Sequence, residues 1–170
     1  MEMKQLVSLQ REFFLSNVTK NIEFRKEQLK KLELAIIQNQ EKIYAALKED
    51  LNKSEYEAYL TEVSIVLNEI RYARKHLAKW VKPQKVKTPL SHFPAKSFTL
   101  LEPYGVVLVL SPWNYPFQLA LAPVVGAMAA GNCVVIKSSK NSAKTTAIIT
   151  DIINQTFDSR YAYCVSDEHS

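Results

Sequence analysis

The sequence predicts an α/β protein: a helical N-terminal segment over residues 1–81, a proline- and lysine-containing linker over 82–96, and the first half of a doubly wound parallel sheet over 97–170. Three observations carry this reading. Only Gly105, Gly126 and Gly131 are glycine, so the first hundred residues, rich in Leu, Lys and Glu, favour helices over tight hairpins. Apolar residues recur at three- and four-residue spacing as far as the linker. Beyond it, short valine-rich runs alternate with helical stretches, the pattern of a parallel sheet with right-handed crossovers.

Taken in order, Leu6, Leu9 and Phe13 mark a first helical stripe, and Ile22, Leu29, Leu32, Ile36, Ile43 and Leu47 a longer one. Ser54-Glu55-Tyr56-Glu57 has the S-x-x-E form of a capping box, which starts a new helix by satisfying its free N–H groups. That helix carries Leu60, Val63, Leu67, Ile70, Leu77 and Trp80 on its apolar face. Pro83, Pro89 and Pro94 end the pattern and define an extended linker. Ser97 to Leu101 is a short strand, and Val106 to Leu110 reads as a strand buried on both faces. Pro116 to Ala130 is a helix, with proline tolerated in its first turn and Gly131 at its end. Cys133 to Ile136 is a second buried strand, Ser142 to Thr156 a helix, and Tyr161 to Val165 a third strand. Gly126 falls inside a helix, where close packing is expected. Three strands make half a sheet, which leaves an edge to be covered.

Composition narrows the function. With so few glycines, neither G-x-G-x-x-G nor G-x-x-x-x-G-K-[ST] can be written. Two cysteines are too few for a disulfide framework, and Met1 to Gln10 lacks an apolar run, so a reduced, cytoplasmic setting is expected. Leu119 to Gly131 is too short and contains Pro123, so it is a buried helix and no membrane span is expected. The net charge of +5 is concentrated between positions 70 and 101, where eight basic residues meet no acid. Such a stretch fits a phosphate or nucleic-acid surface, or a helix end and solvated linker. The second reading is preferred, because no nucleic-acid-binding module pattern accompanies it.

In open parallel sheets ligands bind beyond the carboxyl ends of the strands. That address falls first on Ser111-Pro112-Trp113-Asn114-Tyr115-Pro116, after the strand ending at Leu110. The prolines stiffen the turn. Asn114 either caps the following helix or donates its amide, together with the helix's free N–H groups, to a developing oxyanion. The second address is Lys137-Ser138-Ser139-Lys140, where Lys137 either contacts a ribose or phosphate or simply ends a strand. Cys133 and Cys164 lack a basic partner nearby and read as inert thiols. His76, His92 and His169 make no pair at metal-ligand spacing, so no metal is expected.

Leu101-Glu102-Pro103-Tyr104-Gly105-Val106-Val107, then Pro112-Trp113-Asn114-Tyr115-Pro116, then Ala129-Ala130-Gly131-Asn132-Cys133-Val134-Val135-Ile136-Lys137 resemble the start of the cofactor domain of aldehyde dehydrogenases, most closely the class 3, fatty-aldehyde branch. The resemblance covers this chain but only about the first third of a complete member. It implies a Rossmann-like sheet, NAD or NADP as cofactor, an aldehyde substrate, and a homodimer in the complete protein. In the family a cysteine thiolate attacks the aldehyde, a hydride passes to the cofactor, and a glutamate-activated water hydrolyses the thioester. Carried over, Asn114 matches the oxyanion-hole amide, Ser111, Pro112 and Trp113 the turn lining the cofactor, and Lys137 the lysine on the adenosine ribose. Where the family continues Lys-Pro-Ser-Glu, this chain has Lys140 in place of a glutamate that disfavours a 2′-phosphate, so relaxed or NADP-leaning preference is expected. The family's G-x-T-x-x-G turn, general-base glutamate and nucleophilic cysteine fall beyond position 170, so the isolated chain is expected to be an inactive truncated product or fragment. The alternative is a non-catalytic product acting through self-association or association with an intact homologue, and a nucleic-acid binder ranks last.

Overall fold

The computed structural model describes residues 2–165. The helical layer consists of α1 (Met3–Leu15), α2 (Ile22–Gln38), α3 (Gln40–Leu51), α4 (Glu55–Ala58) and α5 (Ser64–Trp80), with a π-helical turn Tyr59–Val63 joining the last two. Ser54 caps α4 as its sequence motif requires, accepting the Glu57 N–H at 3.2 Å. Strands β1 (Gln84–Val86) and β2 (Ser97–Thr99) pair antiparallel, so the proline-rich segment carries a strand that the sequence did not announce. The second half runs β3 (Val106–Leu110), α6 (Pro116–Ala130), β4 (Cys133–Lys137), α7 (Ala143–Thr156) and β5 (Ala162–Cys164). Its three strands are parallel in the order β3-β4-β5, and the register places Leu110 opposite Lys137.

One main core forms where α6 and α7 are sandwiched between the sheet and the helices α2, α3 and α5. Leu29, Leu32, Ile36, Ile43, Leu47 and Ile70 meet Phe117, Leu121, Val124, Met128 and Ile149 there. Helix α1 lies on the opposite face of the sheet, with Leu6 against Val135 and Val165. Its Gln10 amide donates to the carbonyls of Val134 (3.2 Å) and Ser159 (3.0 Å).

Three expectations need correction. Strand β3 is not buried on both faces: Leu108 is 58% and Leu110 67% exposed, because α1 covers only the beginning of its face. Leu60 and Trp80 are exposed rather than core. Leu60 lies in the π turn itself, whose extra residue breaks the α-helical spacing that would have kept it on the stripe of Val63, Leu67 and Ile70. Trp80 stands at the end of α5, lining an open cleft with Leu101 and Ala130. Gly126 is the third, since a Cβ there would meet only open space.

The glycines that do matter are at the strand starts. Gly105 and Gly131 both have positive φ, and the Asn132 side chain ties them together by accepting the Gly105 N–H at 2.9 Å and donating to the Ala127 carbonyl.

Candidate functional site

The turn after β3 and the segment after β4 lie side by side at the carboxyl edge of the sheet. The Ser111 N–H donates to the Lys137 carbonyl at 3.1 Å, extending the ladder by one bond and fixing where the turn departs. Ser111 is buried, and its hydroxyl has no hydrogen-bond partner among the described residues. Pro112, Trp113 and Asn114 are exposed, so the turn presents their side chains outward. Lys137 is half-buried as the last residue of β4, and Lys140 is exposed on the short 3-10 turn that follows. The structure thus gathers Ser111 and Lys137 at adjoining strand ends and sets Trp113 and Asn114 just beyond them. A buried hydroxyl left unmatched at a strand end fits a site completed by a polar ligand group such as a ribose hydroxyl.

The helix start behind Asn114 departs from expectation. The N-cap of α6 is Tyr115, without a side-chain cap, so Asn114 does not serve as the cap. Nor are the helix's leading N–H groups free to reinforce an oxyanion site. Those of Phe117 and Gln118 donate to one carboxylate oxygen of Glu62, at 2.8 and 3.1 Å. Its other oxygen accepts from the Lys53 ammonium at 2.5 Å. Glu62 is fully buried and Lys53 nearly so, and the ammonium also sits 4.0 Å from the centre of the Tyr115 ring. A carboxylate at a helix N-terminus complements its partial positive charge, and the lysine compensates the cost of burying that carboxylate.

The same device recurs. Asp50, near the end of α3, accepts the N–H groups of Lys144 (3.2 Å) and Thr145 (2.7 Å) at the start of α7. At the far end of α6, buried Arg25 donates to the carbonyls of Ala129 (3.2 Å), Thr19 (2.6 Å) and Lys20 (3.2 Å). Burial draws its guanidinium below the ordinary value, although an arginine stays charged. Helix α6 is therefore clamped by an anion at its N-terminus and a cation at its C-terminus, both supplied by the helical layer. Sequence reasoning missed these residues. Glu62 carried no signal of its own in the sequence, because it lies off the apolar stripe of Leu60, Val63 and Leu67, and only the fold shows it buried.

Neither cysteine has the character of a nucleophile. Desolvation pushes the Cys133 thiol up to about 12, and Cys164 is raised by the same cause. Both are buried. Two residues of the basic stretch, Arg71 and Arg74, are engaged inside the helical layer, both donating to Glu33. Among the described residues no group of three or more His, Cys, Asp or Glu side chains comes together, and His169 lies outside them. No helix among those residues is long and apolar enough to cross a membrane.

Comparison with known proteins places this arrangement. The aldehyde dehydrogenase family model matches residues 3–166. The 4,4'-diaponeurosporen-aldehyde dehydrogenase of Staphylococcus aureus is 50% identical over 149 residues, covering 88% of this chain and 32% of that protein. Aldehyde dehydrogenase family 3 member H1 of Arabidopsis thaliana is 44% identical over 157 residues, 92% of this chain and 32% of that protein. The substrate-bound structure of Staphylococcus aureus AldH superposes with a TM-score of 0.94 at 45% identity, over 97% of this chain and 36% of that one. A succinic semialdehyde dehydrogenase from Streptococcus pyogenes, in complex with NADP+, shares the fold at a TM-score of 0.81 and 16% identity, over 98% of this chain and 36% of that one. The chain spans about a third of the length of the curated relatives it matches. Since the match runs unbroken from the helical layer through the Asn114 turn to the third strand, with class 3 members among the relatives, the chain belongs to the aldehyde dehydrogenase family.

Proposed function

We propose that these residues form the N-terminal part of an NAD(P)-dependent aldehyde dehydrogenase, holding part of its cofactor site and its oxyanion-hole amide. What supports this reading above all is the close superposition on substrate-bound AldH, at a TM-score of 0.94. NAD or NADP, when bound, supplies the hydride acceptor. Ser111, Pro112 and Trp113 form one wall of that site. Lys137 contacts the adenosine ribose from the neighbouring strand end, and exposed Lys140 favours or tolerates a 2′-phosphate. Asn114, facing outward, donates its amide to the oxygen that gains charge when the aldehyde carbonyl is attacked. Such a donor is worth about 3–4 kcal/mol in a transition state.

The chain's own residues offer no attacking thiolate, since Cys133 and Cys164 are buried with raised thiol pKa values. Binding without turnover is the expected result. The purified chain is titrated with NADP and NAD, then given a long-chain or aromatic aldehyde. NADP binds at least as well as NAD, Lys137→Met weakens both, and no NADPH or NADH appears. Reduced cofactor formation overturns the inactivity, and a folded chain that binds neither dinucleotide overturns the cofactor assignment.

A second reading, association with a further copy or an intact homologue, is favoured by one observation. Leu108 and Leu110 lie exposed on β3, which is paired on one side only among the described residues. An unpaired strand with apolar side chains is prone to pair with another chain. Sedimentation at tens of micromolar is expected to show a species larger than the monomer, with Leu108→Lys restoring the monomer. A monomeric parent chain sinks this reading.

A further inference from the structure

Asn114 stands on an exposed turn, so its position depends on what fixes its neighbours. On the near side, the fixing bond is Ser111 N–H to the Lys137 carbonyl. On the far side, Phe117 is buried in the core, and the polar anchors come from the short stretch between Lys53 and Glu62. The Lys53 ammonium lies against the ring of Tyr115, the residue next to Asn114. Glu62 takes the N–H groups of Phe117 and Gln118, three and four residues on. The two side chains bond to each other and are both buried, so neither can swing away without stranding a charge in the core.

We infer that Glu62, backed by Lys53, is the positioning residue of the Asn114 turn: it fixes the first turn of α6, and through it the direction in which the Asn114 amide points. The functional weight of this inference rests on the reading of Asn114 given above, but the geometry is independent of it. The π turn at Tyr59–Val63 is part of the device. It is the local departure from α-helix in which Glu62 is delivered to the start of α6, and such bulges are frequent at functional sites. The carboxylate also occupies the positive end of α6. The Asn114 amide, rather than that helix end, is then the donor available to a developing oxyanion on this side of the site.

The test uses the whole 170-residue chain carrying Trp80→Phe, which leaves Trp113, beside Asn114, as its sole tryptophan. Hydrogen exchange is followed by mass spectrometry, and acrylamide quenching reports on Trp113. In Glu62→Ala, peptides spanning 111–118 exchange about 10-fold faster and Trp113 quenching rises about twofold, while α7 peptides change less than about threefold. The double variant Lys53→Met, Glu62→Gln keeps an uncharged acceptor for both N–H groups and recovers most of the protection. A turn unchanged in Glu62→Ala overturns the inference. So does a uniform rise across all peptides, or unfolding of both variants, since either assigns the pair to general core stability. None of these readouts involves aldehyde or cofactor. A failed cofactor titration therefore leaves the inference standing, and a rigid turn in Glu62→Ala overturns it without touching Asn114's chemistry.

Discussion

Phe117→Ala is expected to lower the unfolding free energy by about 3–5 kcal/mol, the cost of truncating a fully buried aromatic side chain in a core that relaxes only partly. Phe117 sits in the first turn of α6 and belongs to the core shared by the sheet and the helical layer. Its removal opens a cavity where the two halves of the molecule meet. For a chain of this size the midpoint of thermal unfolding should fall by roughly 10 °C. Urea unfolding followed by circular dichroism measures the effect. Tyr104→Ala, which removes a 97% exposed ring, serves as the control and should change stability by less than about 0.5 kcal/mol. A Phe117→Ala cost below about 1 kcal/mol, within reach of the control, contradicts this packing.

Gly131→Ala should destabilise the protein by about 3 kcal/mol, from two separable causes. The backbone at Gly131 has φ +92°, a region in which a side chain costs about 1–2 kcal/mol. The new Cβ would also lie 2.6–2.8 Å from three atoms of the Arg25 guanidinium. That group would have to leave the carbonyls of Ala129, Thr19 and Lys20, stranding buried acceptors. The two causes are told apart by a double-mutant cycle. In an Arg25→Ala background only the backbone strain remains, so the cost of Gly131→Ala should shrink to about 1–2 kcal/mol. Strict additivity of the two substitutions would show that the guanidinium does not occupy the space beside Gly131.

These substitutions bear on the same helix, and they show how far the sequence could be read. The limits of α6 were legible to the residue, because Pro116 and Gly131 are local signals: one ring that fits a first turn, one residue that tolerates positive φ. What holds α6 was not legible. Glu62 is 55 residues from Phe117, and Arg25 is 104 residues from Ala129. No spacing rule links a carboxylate on one helix to N–H groups on another. The same limit misplaced Leu60, since a π turn has no composition of its own and shows itself only once the helix has packed. Leu108 and Leu110 were misread for a related reason. An unbroken apolar run states that a strand favours burial, and the surrounding elements decide which face receives cover.

At the candidate site the division is similar. The turn at 111–116 and the strand-end Lys137 were readable, because a strand, a stiff turn and a helix fix the order of residues along a sheet edge. Burial of the Ser111 hydroxyl, unmatched among the described residues, and exposure of Asn114 emerged only from the fold.

By itself, then, the sequence determined most of the elements, the parallel character of the sheet and the family, because periodicity, turn chemistry and ordered motifs are properties of neighbouring residues. Tertiary structure alone decided that the helical layer supplies the charges capping α6 and α7, and that the Asn114 turn is gripped from Lys53 and Glu62. The reason is energetic. A buried charge is tolerable only beside its partner, and that partner is chosen by packing between segments far apart in the chain.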